Sequence, residues 1–147
     1  MTATGLPDPH LHAAFYSNVA TKRALAWCVD VAVILTASLL LTPLTLFTSL
    51  FYFPVFYLVV GVVYRTLTIA RGSATWGMWL MSIELRDVEG DRFDLPQAAI
   101  HTAAYTLSWV VFPLQLLSAG VMAGTDRAQG LTDLVMGSAA INRGAGI

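Results

Sequence analysis

One acid stands alone in the apolar stretch from Ala24 to Tyr64, and it is Asp30. A carboxylate inside such a run must find a partner, take up a proton or reach water, and each solution carries a different chemistry. A titrating Asp30 could pass a proton or a monovalent cation across a membrane, whereas a paired Asp30 would be half of a buried clamp that fixes helix register. Arg23 lies seven residues earlier, on nearly the same helix face. The two side chains would sit ~10 Å apart along the axis and both lean toward the helix start, so a pair within one helix is disfavoured. Depth points to neighbouring helices instead: Arg65 at the return of the second apolar segment and His101 in the third are predicted partners of Asp30. Ion relays need several polar groups in series, and only one acid lies near mid-membrane, which favours the clamp. Serines and threonines are scattered through the apolar runs without an adjacent His and Asp, so no catalytic residues and no enzyme activity are expected. His10 and His12, with only Asp8 nearby, read as solvated side chains and not as metal ligands. No metal and no cofactor are expected.

These residues must be positioned by elements built from an unusual composition. The chain has 147 residues, enough for one domain, and is 56% hydrophobic but only 12% charged, with a mean hydropathy of +0.67. An average soluble domain is roughly 45 to 50% apolar and about 25% charged, so a soluble single-domain enzyme is excluded. A net charge of -1 leaves no basic face for a nucleic-acid backbone. The single cysteine, Cys28, excludes an internal disulfide framework.

Spans are read from the gaps between ionisable groups, because a charge at mid-bilayer costs several kcal/mol. The first gap covers 41 residues, close to two crossings with a tight turn. Pro43 divides it into helices over about 24–42 and 47–64. The second gap runs from Leu95 to Thr125, with a helix expected over about 96–124. That length exceeds one crossing, so the segment is either kinked or re-entrant at Pro113. The fold class is therefore an all-α integral membrane protein with three apolar helical segments, its lipid-bilayer solvent replacing water around most of the chain.

Lys22 and Arg23 precede the first helix, the turn at Pro43 carries no basic residue, and Arg65, Arg71, Arg86 and Arg92 follow the second helix. This pattern predicts a cytoplasmic amino terminus and central loop. A single kinked crossing after them would put Arg127 and Arg143 outside; a fold-back would keep all eight basic residues inside. Residues 1–21 lack the apolar run of a secretion signal and are expected to form a flexible cytoplasmic tail, with 143–147 a second tail.

Residues 73–95 form an interfacial segment. Trp76 and Trp79 suit the headgroup level. Ile83 to Val88 alternates apolar and charged residues, Glu89-Gly90-Asp91 offers a turn, and Arg92 to Leu95 alternates again. That pattern predicts a small cytoplasmic β-hairpin with a solvated charged face. Gly120 and Gly124, beside Ala119 and Ala123, form a small-residue face suited to helix packing, between subunits or within one.

The segment Lys22-Arg23-Ala24-Leu25-Ala26-Trp27-Cys28-Val29-Asp30 resembles the opening of the RDD family of small bacterial membrane proteins, named for one arginine and two aspartates. Arg23 and Asp30 fall on its first two letters. Thr75-Trp76-Gly77 and the strand-like run after it are similar to that family's Thr-x-Gly-Lys stretch. Gln129 to Ser138 resembles its closing segment and puts Asp133 on the third letter, so the likeness covers about residues 22–142. Met78 replaces the usual lysine, Thr132 a frequent histidine, and His101 stands where arginine often opens the third helix. Those losses strengthen Arg23, Arg65 and Arg127 as partners for Asp30 and Asp133. The resemblance implies a bacterial inner membrane and either an assembly or a transport role. Two functions follow as expectations: an accessory or scaffold component that packs against itself or a partner membrane protein, or an oligomeric transporter or proton/cation exchanger using Asp30.

Overall fold

The computed structural model describes residues 4–145. Two long helices lead the chain: α1 (Val19–Leu41) and α2 (Phe53–Gly72). Both, with the 3-10 turns at their ends, are long and apolar enough to cross a membrane. They form an antiparallel hairpin whose turn is made by Leu46 and Phe47, both in the left-handed region at φ 53° and 62°. At this end of α1 hydroxyls bond back to the preceding turn: Ser38 donates to the Ile34 carbonyl and Thr42 to that of Ser38. Pro54 sits in the first turn of α2, where a missing N–H costs no helical bond. α2 runs eight residues past the boundary expected at Tyr64, which carries Arg65 within the helix and not at its end.

After α2 the chain turns into a short helix, α3 (Trp76–Leu80), capped by the Thr75 hydroxyl accepting from the Met78 N–H. Strand β1 (Ile83–Arg86) follows. The expected hairpin partner is not what β1 pairs with. Residues 92–95 form no strand, because Asp94 and Gln97 make a capping box that starts helix α4 (Leu95–Val110), with Pro96 in its first turn. The ladder partner is β2 (Ala139–Asn142), antiparallel, with Leu85 opposite Ala140 and Glu84 opposite Ile141. The turn at Asp87 does form, its carboxylate accepting from the Glu89 and Asp91 N–H groups.

The third apolar segment is broken. α4 and α5 (Phe112–Gly124) are bent by 115° about Val111. Pro113 cannot donate in the first turn of α5, and the Ser108 hydroxyl bridges the corner by donating to the Gln115 side-chain oxygen Oε1. Helix α6 (Leu131–Met136) then lies against both: the Leu131 N–H donates to Ser118 on α5, and Asp133 meets His101 on α4. The chain thus leaves α5 on the side where α4 began.

Neither terminus is a free tail over its described length. Gly5 N–H donates to the Val88 carbonyl, Leu6 and Tyr16 are buried with Ala139 and Ile141, and the Asn142 amide donates to the carbonyls of Ala14 and Ser17. Arg143 is held by backbone and side chain, at Ser82 and Glu84. These contacts satisfy backbone groups that a flexible tail would leave to solvent. A compact core of Ile69, Ile83, Leu85, Phe93 and Ala98 fills the end where both strands, α3 and α6 meet. Much of α1, of α2 and of the 3-10 turns between them faces outward with apolar side chains, Leu40 at 74% exposure and Phe51 at 93%, which is the surface a bilayer would cover.

Candidate functional site

Asp30 and Asp133 are both buried by the fold, and each accepts hydrogen bonds from residues distant in the sequence. Asp30, in the middle of α1, is 2% exposed. Its Oδ1 accepts from the Tyr64 hydroxyl at 2.7 Å and the Gly77 N–H at 3.0 Å, and its Oδ2 from the Thr75 hydroxyl at 2.6 Å. Arg65 Nη1 stands 3.8 Å from Oδ2, an ion pair beyond hydrogen-bond reach. The Arg65 guanidinium instead lies over the Tyr105 ring at 3.9 Å, a cation–π contact with α4. The Tyr64 hydroxyl also accepts from the Trp76 N–H, so α1, α2 and the start of α3 are knotted at one carboxylate.

The sequence motif explains this local geometry. Thr75 caps α3 and reaches Asp30 with the same hydroxyl. Gly77 must be glycine because α3 touches α1: a Cβ there would sit 2.2 Å from the Ala26 carbonyl oxygen and 2.8 Å from Asp30 Oδ1.

Asp133 is fully buried at the start of α6. Its Oδ2 accepts from Arg23 Nη1 on α1 and from the Gly130 N–H, and its Oδ1 faces His101 Nε2 at 3.1 Å and the Ser138 hydroxyl at 3.2 Å. Arg23 also donates to the Ala128 carbonyl. Burial pushes the Asp133 carboxyl up, but the Arg23 charge and the His101 contact outweigh it and hold the group well below the usual carboxylate range.

A third cluster closes the sheet. Glu84, expected on a solvated face, is 4% exposed and accepts from Arg86, Arg92 and Arg143. Burial raises its carboxyl while those three cations lower it, with the net shift downward.

The structure therefore sorts the expected site residues into two clusters. Arg23 meets Asp133, the first signature letter with the third, while Asp30 is matched by Arg65. His101 serves Asp133 and not Asp30. Arg127 pairs with neither aspartate among the described residues, and its Nε is buried without a partner. Gly120 and Gly124 approach nothing: a Cβ at either would meet no atom within 4 Å, so packing within the chain does not use them. Tyr64, Gly130 and Ser138 were not singled out by sequence reasoning. Thr75 and Gly77 were present only as a family-like motif.

A cavity of about 350 Å³ opens beside Asp30, between α1, α2 and α4. Arg65, Asp30 and Tyr105 lie at one end of it, and Ile34, Leu58 and Val110 line it further along the helices.

The sequence model of the RDD family matches residues 18–137, most of the chain. No curated protein and no solved structure matches it.

Proposed function

This chain belongs to the RDD family of membrane proteins, and from that premise we propose that it is a multi-pass scaffold or assembly component of the bacterial inner membrane. In this reading α1 and α2 cross the bilayer, α4 and α5 form a re-entrant hairpin, and the amino terminus, the sheet and α6 share the cytoplasmic side. The basic residues support that side, since Lys22, Arg23, Arg86, Arg92, Arg127 and Arg143 would all lie there.

One observation carries the functional reading. Asp30 accepts three hydrogen bonds, from Tyr64 on α2, Thr75 and Gly77, and Asp133 is bonded by Arg23, His101, Gly130 and Ser138, so both carboxylates hold elements together. Carboxylates spent on such clamps are not free to exchange ligands at each turnover. The outward apolar faces of α1, α2 and α5 then remain for lipid, for a second copy or for a partner membrane protein.

A second reading, a small oligomeric exchanger of protons or monovalent cations, is favoured by the cavity that reaches Asp30. Reconstitution separates the two. The scaffold reading expects no proton or cation flux from proteoliposomes, and Asp30→Asn to lower thermal stability or assembly. Flux that disappears in Asp30→Asn, with unchanged folding, would replace it with the exchanger.

A further inference from the structure

The Arg65 side chain is nine-tenths buried, yet among the described residues it donates no hydrogen bond. Its Nε is enclosed without a partner, and the carboxylate it faces, at Asp30 Oδ2, is 3.8 Å from Nη1. A guanidinium has five N–H donors and no acceptor, and leaving them unmade in a low-dielectric site is costly. Arg65 lines the cavity beside it, and a ligand there would meet the guanidinium through its Nη groups. Trp109, which also lines that cavity, stacks on Trp27 at 5.5 Å. The site therefore offers donors and an apolar body of space, and it needs an acceptor.

Charge narrows the class further. The Arg65 cation already faces the Asp30 anion, so the pair is formally neutral, and a second anion would stand close to the Asp30 carboxylate. An uncharged acceptor satisfies the donors without that repulsion. The remaining walls, among them Trp27, Ile34 and Leu58, suit a hydrocarbon chain.

We propose that the cavity between α1, α2 and α4 is a binding site for a carbonyl group carried on an apolar chain, held at its carbonyl oxygen by Arg65. The ester of a membrane lipid and the ring carbonyl of an isoprenoid quinone share this chemistry, and the test distinguishes them.

The full chain is purified in an alkyl maltoside, which has no carbonyl, with Trp76→Phe and Trp79→Phe so that Trp27 and Trp109 report on the cavity. Four probes are titrated by fluorescence quenching: a phospholipid with brominated ester-linked chains, its diether analogue without carbonyls, a decyl-benzoquinone and a brominated long-chain carboxylate. The ester lipid or the quinone is expected to quench saturably, whichever does so identifying the source. The diether should bind at least roughly tenfold more weakly than the ester if the lipid is the ligand, and Arg65→Met should weaken the saturating probe by a similar factor. Val62→Phe narrows the cavity while leaving the Asp30 and Arg65 side chains themselves unchanged, and it should abolish saturation. That variant and the ester-to-diether comparison decide the matter even where Arg65→Met does not fold. Equal binding of ester and diether with no quinone binding, tightest binding of the carboxylate, no saturable quenching by any probe, or saturation surviving Val62→Phe would each overturn the assignment.

Discussion

Arg23 and Asp133 are separated by 110 residues and are bonded side chain to side chain, the one on the first turns of α1 and the other at the start of α6. This contact means that everything between them leaves one end of the molecule and returns to it. Asp133 has 0% side-chain exposure and Arg23 15%, so the pair is shielded from solvent. Removing one member of such a pair leaves the other charge buried and unmatched.

Arg23→Gln is accordingly expected to cost about 3–5 kcal/mol, as for a broken buried ion pair. The measurement is reversible unfolding in detergent, and Arg23→Gln with Asp133→Asn should cost clearly less than the two single losses added. Additive losses would show that the two residues act separately.

Acid should unfold the end that holds the sheet and α6. Asp133 and Glu84 are both held below their ordinary carboxyl range, which makes their folded forms bind protons less readily than the unfolded chain does. Their contribution is therefore complete above the unfolded value, near pH 4, and is lost as pH falls through the lower folded value. A stability profile from pH 7 down to 2 should decline below about pH 4. Asp133→Asn should start lower at pH 7 and decline less; a parallel curve would remove Asp133 as a source of the acid limb.

How much of this was legible follows from which physical signals are local. The missing charges between Ala24 and Tyr64 and between Leu95 and Thr125 mark apolar elements directly, since a single charge at depth is costly. Pro113 likewise marks its own break. The burial of Asp30 and its approach to Arg65 follow from depth along two antiparallel helices. Pairing across long separations was not legible. The alternation in Ile83–Arg86 says strand but not which strand, and Ala139–Asn142 carries no alternation, being buried throughout. The donors to Asp30 were hidden for a similar reason: Tyr64 and Thr75 look like ordinary polar residues at the ends of apolar runs.

Gly77→Ala should test whether α3 is pinned against α1. The added methyl would meet the Ala26 carbonyl at 2.2 Å, which is backbone and cannot swing away. A loss of about 3 kcal/mol is expected, at the upper end for overpacking. Gly120→Ala, whose Cβ meets nothing within 4 Å, is the matched control and should be nearly neutral in the monomer. Equal effects would mean that α3 lies elsewhere.

The strand pairing can be trapped chemically. Leu85 and Ala140 are opposite one another in the antiparallel register, where Cα atoms lie roughly 4.5–5.5 Å apart and within reach of a disulfide. With Cys28→Ser as background, Leu85→Cys with Ala140→Cys should cross-link under mild oxidation. Leu85→Cys with Leu95→Cys, the pairing of a local hairpin turning at Gly90, should not. The opposite result would restore the hairpin.

The fold-back of α4 and α5 makes the sharpest topological prediction, because a kinked single crossing and a re-entrant hairpin put the same residue on opposite sides of a membrane. Asp126 follows α5 and is 73% exposed, while Leu46 is 85% exposed in the turn between α1 and α2. The bend of 115° and the contact of Asp133 with Arg23 bring the segment after α5 back to the end where α1 begins, far from Leu46 along α1. In sealed inverted vesicles of a Cys28→Ser strain, an impermeant maleimide should therefore label Asp126→Cys and Glu89→Cys alike, and label Leu46→Cys only after the membrane is opened. If Asp126→Cys follows Leu46→Cys instead, the α4–α5 segment crosses the bilayer, and the Arg23–Asp133 bond cannot exist in the same molecule.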